Sequence, residues 1–130
     1  MTDPGANAMR IILVEDDADD AELVALQLAD AGVRAQFLHV QSPDELRETM
    51  ASGADLVLSD VSMPGFSGFD ALAIARGFAP SIPFVLMSGT HEDDVADRAA
   101  DLNVQAYLLK QDLAGLLHHV CQALAKRAEG

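Results

Sequence analysis

At 130 residues, half of them apolar, the chain has the size and the core-forming content of one ordinary domain. Its net charge of −13 argues against nucleic-acid phosphate as a direct partner and favours cations instead. The single cysteine, Cys121, excludes an internal disulfide and fits a reducing, cytoplasmic setting, and no apolar run is long enough to span a bilayer.

In chain order, MTDPGANAM (1–9) lacks the basic region and apolar stretch of a secretory signal. It is expected to be a mobile tail ahead of a domain over 10–128. RIILVE (10–15) predicts a first strand, which runs into Asp16, Asp17, Asp19 and Asp20. Ala21, Val24, Leu28 and Ala31 recur at helical spacing, and Gly32 stops that helix. AQFLHV (35–40) predicts the second strand. SPDE (42–45) opens the second helix, with Ser42 as N-cap, Pro43 at N1 and Glu45 at N3. DLVLSD (55–60) predicts a third strand ending in Asp60, and Ser67 is expected to cap the third helix. IPFVLMS (82–88) predicts a fourth strand ending in Ser88, and THED from Thr90 is expected to open the fourth helix. QAYLLK (105–110) predicts a fifth strand ending in Lys110. Leu113, Leu116, Leu117, Val120 and Leu124 form the apolar stripe of the last helix. Beside that stripe Cys121 reads as a buried thiol. His118 and His119 fall on the solvated flank, without metal-ligand spacing.

Strand and helix alternate five times, and most strands are apolar almost throughout. That pattern implies an α/β fold: a doubly wound, five-stranded parallel sheet covered by helices on both faces. In the order 2-1-3-4-5 the first and third strands are neighbours at the switch point, where ligands bind beyond the carboxyl ends. Asp16, Asp17 and Asp60 then converge, with the Ser88 hydroxyl and the Lys110 ammonium across from them. Such crowding of like charge is tolerable around a divalent cation, and Mg²⁺ (or Mn²⁺) suits an all-oxygen site. Asp17, Asp19 and Asp20 are equally suited to capping a helix and facing its dipole.

Four pieces together carry a resemblance: EDD after the first strand, DVSMPGFSG (60–68), MSGT (87–90) and YLLK (107–110). In this order and spacing the chain resembles the receiver domain of two-component response regulators, over nearly its full length. The resemblance implies a flavodoxin-like (βα)5 three-layer sandwich and a phosphorelay protein that is not an enzyme in its own right. It implies Asp60 as the phosphoacceptor and an acid pocket of Asp16 and Asp17 for Mg²⁺, with the Ser62 backbone carbonyl as a further metal ligand. It also implies Ser88 and Lys110 as partners of the phosphoryl group and Tyr107 as the aromatic that changes rotamer on activation. That change would reshape the face made by the fourth helix, fifth strand and fifth helix. The implied partner is a sensor histidine kinase or a histidine phosphotransfer domain; an effector or kinase module in a longer chain, and a homodimer, are compatible with it. Gln111 stands where the family usually has proline, so a cis peptide is not implied there.

Leu23 and Leu26 lie roughly opposite the buried stripe of the first helix, beside the acid pocket, and are candidates for a docking patch. Other readings fit less well. A flavodoxin wants a phosphate-cradling loop after the first strand, where this chain has carboxylates. A haloacid-dehalogenase-type phosphatase wants a second Asp at position 62, which is Ser62. A docking module that never carries phosphate has no need of Asp16, Asp17, Asp60, Ser88 and Lys110 together.

Overall fold

The structure, a computed structural model, describes residues 9–129, without the side chains of Leu124 and residues 127–129. Tail residues 1–8 and the Leu124 side chain expected on the last stripe therefore lie outside the described residues. The main elements are β1 (Met9–Val14), α1 (Ala18–Asp30), β2 (Ala35–Val40), α2 (Pro43–Ser52) and β3 (Leu56–Asp60). A small hairpin follows, β4 (Ser62–Met63) and β5 (Phe66–Ser67). Then come α3 (Gly68–Phe78), β6 (Phe84–Ser88), α4 (Asp93–Asp101), β7 (Ala106–Leu109) and α5 (Leu113–Glu129). Met9 is fully buried within β1, so the ordered domain includes a residue assigned above to the tail.

The five long strands form one parallel sheet in the order β2-β1-β3-β6-β7. With the hairpin set aside, this is the expected 2-1-3-4-5 order. Side chains of a strand alternate between faces, so the sheet feeds two cores. Ile12, Val14, Val57, Phe84 and Leu86 pack with residues of α2, α3 and α4. Ile11, Leu13, Leu56, Leu58, Val85 and Met87 pack on the other face with α1 and α5.

Local chemistry sets most helix ends. Ser42 accepts from the Glu45 N–H and Pro43 occupies the first turn of α2. Ser67 and Asp70 form a reciprocal capping box on α3, at 3.1 and 2.9 Å. After α1, Gly32 adopts φ 97°, a conformation that favours glycine. Three expectations are corrected. Thr90 does not cap α4: the helix begins at Asp93 with Glu92 as an N-cap that makes no side-chain cap bond. Ala31 ends the stripe of α1 exposed, because the helix stops at Asp30. Cys121 is exposed rather than buried, since Leu116, Val120 and Ala123 carry the inward face of α5. His118 is exposed, as expected, while His119 is half-buried. The Lys110–Gln111 peptide is trans, like every described peptide.

Candidate functional site

The site is built by register and by side-chain parity. Val14 pairs with Ser59, so the next residues, Glu15 and Asp60, stand level at the carboxyl ends of β1 and β3. Glu15 continues the parity of Ile11 and Leu13, and Asp60 that of Leu56 and Leu58. On β7 Ala106 and Leu108 share that face, and Lys110 follows them. Three polar side chains therefore emerge on the α1/α5 side of the sheet.

There Lys110 Nζ lies 2.9 Å from Glu15 Oε2 and 3.2 Å from Asp60 Oδ2. A third carboxylate, Asp20 Oδ2 in the first turn of α1, lies at 3.2 Å. One oxygen from each of Glu15, Asp16 and Asp60 lies within 4.8 Å of the others. Three hard oxygens at this spacing suit a small divalent cation. Glu15 and Asp60 are buried, at 4% and 9% exposure, so their charges are poorly screened by water.

The electrostatics follow. Burial pushes the Glu15 carboxyl above its ordinary value, and the neighbouring Asp60 charge adds to this. Hydrogen bonds from Lys110 and the Asp17 N–H only partly offset the rise. Burial alone would lower Lys110, but Glu15, Asp60 and Asp20 outweigh it and hold the ammonium well above the ordinary lysine value. Lys110 is therefore a fixed positive charge.

Asp60 is held by its backbone surroundings. Val61 donates to the Met87 carbonyl at 2.9 Å, and Gly68 donates to the Val61 carbonyl at 2.7 Å. A Cβ at Gly68 would sit 2.6 Å from the Asp60 carbonyl oxygen and 2.6 Å from Leu86 Cδ2. Glycine at 68 is thus required for α3 to start against the end of β3. Ser62, two residues past Asp60, is exposed at the start of β4.

One expected site residue behaves differently, and one unexpected residue joins the cluster. Asp17, placed above in the acid pocket, is the N-cap of α1: its Oδ1 accepts from the Asp19 and Asp20 N–H groups at 2.8 and 3.2 Å. Its place in the cluster is taken by Glu15, which the sequence reading missed. The strand ends one residue earlier than drawn, at Val14, although the Glu15 N–H still bonds the Val40 carbonyl at 3.1 Å. The available signal was parity: Ile11, Leu13 and Glu15 alternate onto one face, as do Leu56, Leu58 and Asp60. His39 Nε2 steadies this turn by donating to the Glu15 carbonyl at 2.6 Å.

Ser88 and Tyr107 belong to the opposite face, with Leu86. The Ser88 hydroxyl donates to the Thr90 carbonyl at 2.7 Å. The Tyr107 hydroxyl donates to the same carbonyl at 3.2 Å and accepts from the Glu92 N–H at 3.1 Å. One carbonyl thus ties the end of β6 to β7. On α1, Leu23 and Leu26 are each 53% exposed, facing outward as expected.

The family model described as Response regulator receiver domain matches residues 11–121. The cell cycle transcriptional regulator CtrA of Caulobacter vibrioides is 27% identical over 130 residues, covering 94% of this chain and 52% of that protein. The crystal structure of the phosphorylated cyanobacterial phytochrome response regulator RcpA superposes with a TM-score of 0.69 at 28% identity, over 85% of this chain and 87% of that one. A response regulator receiver domain protein from Clostridium thermocellum shares the fold, with a TM-score of 0.81 at 21% identity, over 92% and 97% of the two chains. The chain spans about half the length of the first curated relatives it matches.

Proposed function

The chain belongs to the response regulator receiver domain family, a signalling domain of two-component systems, and from that premise we propose that Asp60 is the residue that takes the phosphoryl group. The observation that carries this reading is the pairing of a buried Asp60 with Lys110 inside a cluster of acids at the sheet's carboxyl end. In the proposed reaction an Asp60 carboxylate oxygen attacks the phosphorus of a phosphohistidine. The P–N bond breaks, the imidazole nitrogen keeps the electron pair, and an acyl phosphate forms on Asp60. Lys110 compensates charge on the phosphoryl oxygens from a preset position.

Glu15, Asp16, Asp60 and the Ser62 carbonyl would hold Mg²⁺ or Mn²⁺, with Glu15 in the place first given to Asp17. When bound, the cation neutralises charge between the anionic donor and the anionic acceptor. The Ser88 hydroxyl then turns from the Thr90 carbonyl to a phosphoryl oxygen. The 89–92 loop follows, the Tyr107 ring rotates, and the α4–β7–α5 face changes shape. The donor is a sensor histidine kinase or histidine phosphotransfer domain in the cytoplasm, docking on α1 through Leu23 and Leu26. The proposed phosphorelay domain covers 10–128, preceded by Met9 in β1, and works beside an effector or kinase module or as a homodimer.

Labelling with acetyl phosphate tests the assignment. The parent should form an alkali-labile acyl phosphate only with a divalent cation, and Asp60→Asn should not label. A chelator-resistant label, or a labelled Asp60→Asn variant, would contradict it. In the same assay Leu23→Ser with Leu26→Ser should slow transfer from a phosphohistidine donor and leave acetyl phosphate labelling unchanged; equal transfer removes the docking patch.

A further inference from the structure

The Lys110 ammonium has three N–H donors and three carboxylate neighbours. Glu15 and Asp60 belong to the acid cluster, but Asp20 does not. Asp20 reaches Lys110 from the first turn of α1, its side chain 48% exposed, and has no other ion-pair partner among the described residues. Helix α1 is pinned, by the Asp17 cap at one end and by the burial of Ala21, Val24 and Leu28 along its inner side. The backbone at Asp20 therefore stays in place if Lys110 moves outward.

From this we propose that Asp20 is a positioning residue that competes with the phosphoryl group for Lys110 and slows phosphorylation of Asp60. The inference rests on the phosphoacceptor reading above. As the Asp60 oxygen forms its bond to phosphorus, the bond from phosphorus to the leaving acetate oxygen breaks and acetate departs with the electron pair. Lys110 must by then direct a donor at the phosphoryl oxygens. Glu15 and Asp60 would share their charge with the cation that the cluster suits. Asp20, outside that cluster, stays on the ammonium and must be displaced. It also adds a negative charge where an anionic donor arrives. An acid that only faced the helix dipole would leave the ammonium free to turn to the phosphoryl group.

The experiment compares acetyl phosphate labelling rates at saturating Mg²⁺ for the parent, Asp20→Ala, Asp20→Asn and Asp20→Glu, with circular dichroism to verify folding. Because the Asp20 side chain is half-exposed, the expected gain is modest, roughly three- to tenfold for the Ala and Asn variants. Asp20→Glu, which restores a carboxylate, should return to within about twofold of the parent. The ¹⁵N signal of the Lys110 ammonium supplies a second readout: proton exchange with water should be faster in the Ala and Asn variants than in the parent. If the parent labels and these variants label no faster, or the ammonium exchange is unchanged, the Asp20 inference is overturned while the phosphoacceptor reading stands. If none of the four proteins labels, the phosphoacceptor reading itself fails and this inference with it.

Discussion

Glu15 sets the electrostatic cost of the site. Its carboxyl is raised first by burial and then by the Asp60 charge, so folding favours its protonated form. The stability linked to this group is complete below the unfolded glutamic acid value and is lost as pH rises through the folded value. Glu15→Gln cannot ionise and escapes that loss, while Lys110 keeps Asp20 and Asp60. In the metal-free domain the melting temperature of Glu15→Gln minus that of the parent should be small near about pH 4 and increasingly positive toward neutrality. Thermal melts across that range check it, and a difference that shrinks with rising pH would refute it. The same residue shows what was hard to read in the sequence. A run of five acids among six residues gives no compositional hint of which faces inward, and a strand boundary misjudged by one residue moves the pair. Asp60 and Lys110 were legible because each stands alone at the end of an apolar run. Cys121 was misread because a position next to an apolar stripe does not fix which side of the helix carries the core.

Among the elements, the loop between β6 and α4 has the least ordinary construction. Its helix lacks a side-chain cap, and the Tyr107 hydroxyl serves the Glu92 N–H instead. Thr90, expected from the THED pattern to cap α4, contributes its carbonyl to Ser88 and Tyr107. No local pattern reveals this, because the partner lies in another strand; Ser42 and Ser67 were legible because their partners lie three residues away. Tyr107→Phe removes two bonds from the loop and should cost about 1 kcal/mol. If a phosphoryl group must draw Ser88 from Thr90, the loosened loop should let beryllofluoride bind more tightly, by roughly fivefold on that energy. Faster amide exchange at Glu92 should accompany it. In the parent, beryllofluoride should shift resonances at 88–92 and 104–108. Unchanged affinity and unchanged exchange in Tyr107→Phe would break the proposed link between the loop and β7.

For the whole molecule, an excess of carboxylates must be reconciled with a stable core. The two faces of the sheet hold separate apolar clusters, and the polar site lies only at the carboxyl edge. A cation bound there to the folded chain alone should stabilise it by mass action. At ten times its dissociation constant, Mg²⁺ should add about 1.4 kcal/mol, on the order of 5 °C in Tm for a domain of this size. Asp16→Ala should remove most of that gain, whereas Asp17→Ala should leave it largely in place, because Asp17 caps α1. Equal loss in the two variants would return Asp17 to the pocket. The register between β1 and β3 carries one further consequence, in time rather than in energy. Glu15 and Asp60 are far apart along the chain, joined through α1, β2 and α2, and stand level only when Val14 pairs with Ser59. A slip of one residue would turn Asp60 to the other face of the sheet from Glu15. Helices can form early without creating the cluster, whereas non-local strand pairing is slow. Cation capture during refolding would therefore work as a clock for one event, the moment at which the first and third strands find their register.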